Sequence, residues 1–219
     1  MKDADIHRVM HLIARWVPQF DDQPSVGIVA EKTHDPYLVL VSTLISLRTR
    51  EEVTRRVMWQ LFELADTPRR MVQLSEDEIA RAIAPARYAD QKARTIRTIS
   101  QQLLHEHHGR VPDDLDALLR FKGVGRKTAN LVLTLGFGKP GICVDIHVHR
   151  IFNRLGYVRT RTPEQTEATL REKLPRKYWI PVNNWLVTFG RNQCTPTGPR
   201  CSNCPVETYC EKVGVTTQR

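Results

Sequence analysis

Long apolar runs are missing from this sequence. The longest mostly apolar stretch, YLVLVSTLISL at 37–47, is far too short to span a bilayer and is interrupted by hydroxyls. The opening segment, MKDADIHRVMHLIARW, carries acids early and polar residues every few positions, so it lacks the apolar core and small-residue cleavage site of a secretory leader. A cytoplasmic chain with no membrane partner is expected. Its five cysteines are then expected to be free or metal-bound rather than disulfide-paired. Alternating apolar–polar segments joined by tight Asn-Gly turns are absent too, which removes the signature of β-hairpins. No internal repeat or low-complexity tract interrupts the chain. Acids are in the minority, with 24 Asp+Glu against 33 Lys+Arg and a formal net charge of +9. That excess points to a polyanionic partner, nucleic acid or an anionic membrane surface, and the short apolar runs favour the first.

What is present reads as helix almost throughout. At 219 residues the chain suits one large domain or two small ones. Ile6, Val9, Met10, Ile13 and Val17 recur at helical spacing, predicting a helix over about 3–17 that Pro18 stops. Segment 36–47 is rich in β-branched residues, but its length favours a buried helix. Thr49 with Glu52, and Ser75 with Glu78, have the spacing of capping boxes. A long basic helix is expected from about Gln91 to His107, with Asp113 or Asp114 capping the helix that follows. Thr162-Pro163 opens another, with proline where its missing N–H costs nothing. The expected fold class is all-α, in two packed lobes.

Three features carry chemistry. The first is FKGVGRKTAN at 121–130, a four-residue hairpin between two helices, in which Gly123 and Gly125 permit backbone angles and close approach. Its exposed N–H groups suit a DNA phosphate. Lys127 follows at the start of the second helix. The helix-end potential and the neighbouring Arg126 both favour the neutral, nucleophilic amine, while phosphate binding is the plainer role for such a lysine. The second is Asp145, placed to cap a helix over 146–155 whose stripe is Val148, Ile151, Phe152 and Leu155. A capping carboxylate is held still, which chemistry at a cationic transition state also requires. The third is CTPTGPRCSNCPVETYC, in which Cys194, Cys201, Cys204 and Cys210 have the spacing of a metal site. Zn²⁺ and a [4Fe–4S] cluster both suit four thiolates. Cys143 stands apart as a small buried hydrophobe.

Together the hairpin FKGVGRKTANLVL, the segment VDIHVHR and the cysteine spacing resemble the endonuclease III family of DNA glycosylases with AP lyase activity. The resemblance runs from about Pro36 to Cys210. It implies a helix-hairpin-helix glycosylase fold, with a six-helix barrel domain at 29–139 (hairpin motif about 113–137). An iron–sulfur domain would join 1–28 to 140–219, and the active site would lie in the cleft between the domains. It implies that Lys127 and Asp145 are catalytic and that the four cysteines hold [4Fe–4S]. The partner it implies is duplex DNA with damaged bases or abasic sites, bound by a monomer that is nucleoid-associated through that DNA. Lys122, Arg126, Arg150, Arg154 and Arg200 lie in or near the DNA-facing motifs. Arg48 stands where the family commonly has a gap-filling glutamine, and Tyr88 at the second gap-filling position.

Other readings compete. Mismatch-specific glycosylases of the same superfamily carry serine or tyrosine where Lys127 stands, so the lysine favours the lyase. A non-catalytic DNA-binding module would leave Lys127 and Asp145 unexplained, and a ferredoxin-type electron carrier would leave the net positive charge unexplained. His105, His107 and His108, and His147 with His149, lack one-face metal spacing. Trp16, Trp59, Trp179 and Trp185 are expected in the core.

Overall fold

The computed structural model describes residues 1–219, all helix and connection, with no strand. The first helix, α1 (Ile6–Trp16), runs from one 3₁₀ turn into another at Val17–Gln19, and its Ile6, Val9, Met10 and Ile13 are buried at the predicted spacing. Next come α2 (Ser25–Thr33), α3 (Pro36–Ser46), α4 (Glu51–Leu64), α5 (Pro68–Met71), α6 (Glu76–Ala82) and α7 (Ala89–Glu106). They are followed by α8 (Leu115–Leu119), α9 (Arg126–Leu131), α10 (Ile146–Leu155), α11 (Pro163–Lys173) and α12 (Val182–Asn192).

Two compact units divide these helices: Ser25–Gly141, and Met1–Pro24 together with Ile142–Arg219. In the first, α3 packs on α2, α4, α7 and α9. Every residue of α3 from Tyr37 to Ile45 is buried. An all-round apolar helix belongs inside a bundle, which resolves the strand-like composition of this segment. In the second unit α12 packs on both α1 and α10, around a core that includes Ile13, Phe152, Leu155, Leu186 and Phe189.

Capping follows the local code at most helix starts. Ser75 and Glu78 form the complete reciprocal box of α6. Asp114, Thr162 and Asp145 cap α8, α11 and α10 through their side chains. Thr49 and Glu52 do not form the expected box. Arg50 is the N-cap of α4 and makes no side-chain cap bond. The Thr49 hydroxyl is taken by the Lys92 ammonium, 2.6 Å away, a charged donor with which a backbone amide does not compete.

The second helix of the hairpin motif is also interrupted. After α9 the chain widens into a π turn at Val132–Gly136. Within it the Thr134 hydroxyl donates back to the carbonyls of Asn130 (2.8 Å) and Leu131 (3.2 Å), the back-bonding that distorts helices. Gly136 allows the widened turn to close on α3, because a Cβ there would lie 3.0 Å from the Pro36 Cα.

Candidate functional site

In the Ser25–Gly141 unit the loop between α8 and α9 is exposed at Lys122, Gly123, Gly125 and Arg126, with Val124 buried as its anchor. Gly123 has φ +93°, and a Cβ there would sit 2.9 Å from Cγ2 of Thr95, so both conformation and space demand glycine. Gly125 differs from the expectation. Its backbone is extended, with nothing within 4 Å of a Cβ, so the free protein places no steric demand on it. What its missing side chain does is leave the hairpin amides open to a close-approaching ligand. Lys127 is the second residue of α9 and is half-buried.

The same unit carries Arg48 and Tyr88 on one open cavity of about 570 Å³, with Leu44, Leu47, Gln91, Lys92, Thr95 and Gly123. Both have left-handed backbones, φ +53° and +61°. Neither is glycine, and such conformations persist where the surroundings enforce them. Tyr88 is 47% exposed, unusual for a large aromatic. Hydrogen bonds from Arg87 and then Arg48 hold its hydroxyl below the usual tyrosine range. The Arg87 guanidinium also lies 5.0 Å from the ring centroid. No carboxylate lines the cavity. Arg87, on the Tyr88 ring, and Lys92, in the cavity lining, are two charged residues here that the sequence did not single out. Arg87 gave no signal beyond its charge. Lys92 lies on the buried stripe of α7 with Ile96, Ile99 and Leu103, a periodicity legible in advance.

In the other unit Asp145 is 9% exposed, and Oδ1 accepts from the amides of His147 (2.9 Å) and Val148 (3.0 Å). Beyond it α10 presents two arginines, Arg150 and Arg154, four residues apart on one face. Both were expected in or near the DNA-facing motifs, and in the free protein both bond within the chain. Arg154 is 8% exposed. Its Nη1 donates to the Thr195 carbonyl (2.7 Å) and to Cys194 Sγ (3.3 Å), and Nη2 donates to the Pro196 carbonyl (2.7 Å). Arg150 Nη2 donates to the carbonyls of Gly190 and Cys194, each at 2.9 Å, and meets His147 Nδ1 at 3.1 Å. Both guanidiniums therefore clamp the cysteine segment, whose backbone needs donors that its irregular path does not supply. Arg200 is exposed, on a turn where Gln193 bonds its carbonyl.

Cys194, Cys201, Cys204 and Cys210 line a single cavity with Arg154, Val206 and Lys212. Burial pushes the Cys204 thiol up to about 12 and raises Cys201 and Cys210. These three thiols resist ionisation alone, which suits a cation that shares the thiolate charge. Donors already face the sulfurs: Arg154 at Cys194, and the Lys212 amide 3.4 Å from Cys210 Sγ. No three His, Cys, Asp or Glu side chains gather closely enough for one metal ion. Four thiols on one cavity are the donor set of a four-iron cluster, which takes one thiolate at each iron. Cys143 is buried apart from the others.

An all-helical fold with an exposed glycine hairpin and a cysteine-lined C-terminal segment is the architecture that the resemblance to helix-hairpin-helix DNA-repair proteins implies. In keeping with this, residues 41–176 match the HhH-GPD superfamily of base excision DNA repair proteins. Endonuclease III of Thermotoga maritima is 47% identical over 180 residues, covering 82% of this chain and 84% of that one. Endonuclease III of Escherichia coli (strain K12) is 34% identical over 176 residues, covering 80% and 83%. A solved structure of a trapped endonuclease III–DNA covalent intermediate superposes with TM-score 0.85 at 29% identity, covering 97% of each chain. The chain belongs to the HhH-GPD superfamily and, within it, to the endonuclease III family of base excision repair DNA glycosylases with AP lyase activity. No helix is long and apolar enough to cross a membrane.

Proposed function

We propose that this protein excises oxidised pyrimidines from duplex DNA and cleaves the strand 3′ to the resulting abasic site, acting as a monomer in the cytoplasm. The observation that carries this reading is the half-buried amine of Lys127, second residue of the helix that leaves an exposed hairpin. A damaged base leaves the stack at least cost where it already pairs badly. The Lys127 Nζ lone pair attacks the sugar C1′, and the base departs with the bonding electrons and takes a proton. The attached amine loses one proton, the C1′–O4′ bond breaks as O4′ takes a proton, and the nitrogen lone pair forms a protonated Schiff base at C1′. Removal of a C2′ proton then expels the 3′ phosphate by β-elimination. Asp145, anchored by two amides, stabilises cationic character at the sugar and assists the proton transfers.

The four cysteines would hold a [4Fe–4S] cluster, whose contribution is to tie the C-terminal segment into a fixed shape, since glycosidic cleavage needs no electron. Gly123, Gly125, Lys122 and Arg126 take phosphates at the hairpin, and Arg200 takes one at the cysteine segment. Arg48 and Tyr88 occupy the opened base step. Arginine only donates, in a fork that matches O6 and N7 of guanine, so lesions opposite guanine are preferred to those opposite adenine.

Incubation with abasic-site and thymine-glycol duplexes, with borohydride present, tests the reading. A covalent protein–DNA adduct and a β-elimination product are expected, and intact strands without adduct refute it.

Two further outcomes follow from the geometry. Asparagine still accepts from backbone amides as an N-cap, so Asp145→Asn leaves α10 and thermal stability near wild type while excision slows about 10²–10⁴-fold. Equal slowing and unfolding would make Asp145 a cap alone. With Arg150 and Arg154 turned inward, Lys122, Arg126 and Arg200 remain as the exposed phosphate contacts. The slope of log K against log salt is then about −3 for non-specific duplex. A slope near zero would make the net charge incidental to binding.

A further inference from the structure

Lys92 is a buried cation that the chemistry above does not use. It is 7% exposed in the first turn of α7. Its Nζ donates to the Ile45 carbonyl and to the Thr49 hydroxyl, each at 2.6 Å. Ile45 lies in the last turn of α3, where carbonyls lack helical donors. Between these two anchor points the chain turns through Leu47 and the left-handed Arg48. On the other side, the Lys92 amide donates to the carbonyl of the left-handed Tyr88, at 3.0 Å. One residue therefore fastens both strained turns, by its side chain and by its backbone.

We propose that Lys92 is a positioning residue for opposite-base discrimination: it ties the Arg48 turn to the Tyr88 turn, so that both side chains meet the duplex as one preset pair. This rests on the reading of Arg48 and Tyr88 as contacts in the opened base step. An Arg48 turn released from its clamp has no reason to keep a conformation that costs a residue with a Cβ. A merely structural lysine predicts something else: its replacement would lower stability and leave the ratio of rates opposite guanine and adenine unchanged.

The charged and titratable groups facing Lys92 are Arg48 and Tyr88 across the cavity, with Arg87 on the tyrosine ring and no carboxylate among the lining residues. Burial lowers Lys92 to about 8. Above that pH it becomes an amine with fewer donors and no charge, and the clamp loosens. Stability moves the other way. The unfolded chain keeps this proton up to the ordinary lysine value, so between about 8 and 10.5 the folded state gains as pH rises. Opposite-base preference and stability should therefore change with opposite signs over one window.

The test is single-turnover excision of thymine glycol opposite guanine and opposite adenine, from about pH 6.5 to 9.5. The ratio of the two rates is the readout, because chemistry common to both cancels. Wild type, Lys92→Met, Thr49→Val, their double variant and Arg48→Ala are compared, with thermal unfolding alongside. The wild-type ratio should fall about tenfold as pH passes 8, and Lys92→Met should show the low ratio at every pH, whatever its change in thermal unfolding. Thr49→Val should lie between, and the double variant should be no worse than Lys92→Met. A wild-type ratio that is flat with pH and equal to that of Thr49→Val overturns the proposal, even if Lys92→Met does not fold. If Arg48→Ala abolishes the preference while Lys92→Met keeps it, the Lys92 role alone is wrong. If Arg48→Ala leaves the ratio unchanged, or wild type has no preference, the reading of Arg48 is wrong and this role with it.

Discussion

Lys127→Ala and Lys127→Gln should yield no borohydride-reducible adduct with abasic DNA, and strand cleavage should fall by about 10²–10⁴-fold or more. Only an amine forms the Schiff base, so Gln, which nearly matches the length and keeps hydrogen-bonding capacity, separates chemistry from contact. The helix should survive either change. Both residues have high helix propensity, and Lys127 is half-buried rather than packed in the core. Unchanged thermal unfolding and near-normal affinity for undamaged duplex are therefore expected alongside the lost adduct. An undiminished adduct in either variant would mean that another amine reacts, and Lys127 would return to phosphate binding.

The second large effect concerns the cysteine segment. Arg154→Ala removes the donor to Cys194 Sγ and to the carbonyls of Thr195 and Pro196. Each orphaned acceptor costs about 1–3 kcal/mol, so the loss is several kcal/mol, against a typical domain stability of about 5–15 kcal/mol. Cys204→Ser removes one thiolate and leaves a hydroxyl that ionises far less readily. Wild-type protein should be brown, with iron and acid-labile sulfide in equal amounts near four per chain. Arg154→Ala and Cys204→Ser should both lose iron and colour and become poorly soluble, rather than show a selective catalytic defect. Colourless, folded wild-type protein containing one zinc ion would refute the cluster. Full iron content in Arg154→Ala would show that the clamp is dispensable.

Much of this molecule was legible along the chain, for a physical reason. Capping acts over two to three residues, so Ser75–Glu78, Asp114, Asp145 and Thr162 announced their helices without tertiary information. Helical periodicity marked the buried faces of α1 and α10, and the spacing of Lys127 and the four cysteines pointed to a family that the comparisons support. The same local rules failed where a distant group competed. Thr49 had the right spacing for a capping box, yet a lysine 43 residues away holds its hydroxyl.

Helical class, most helix starts, the hairpin and the set of thiols were readable along the chain, because these depend on short-range geometry and on residue type. Which cations face water was settled by long-range packing. Arg154 and Lys92 are as basic in the sequence as Lys122 or Arg126, and composition counts them alike. Folding turned the first pair inward, onto carbonyls, a thiol and a hydroxyl that lacked donors, and left the second pair exposed. The cost of burying a charge depends on which acceptors meet it, and those acceptors lie on other segments of the chain.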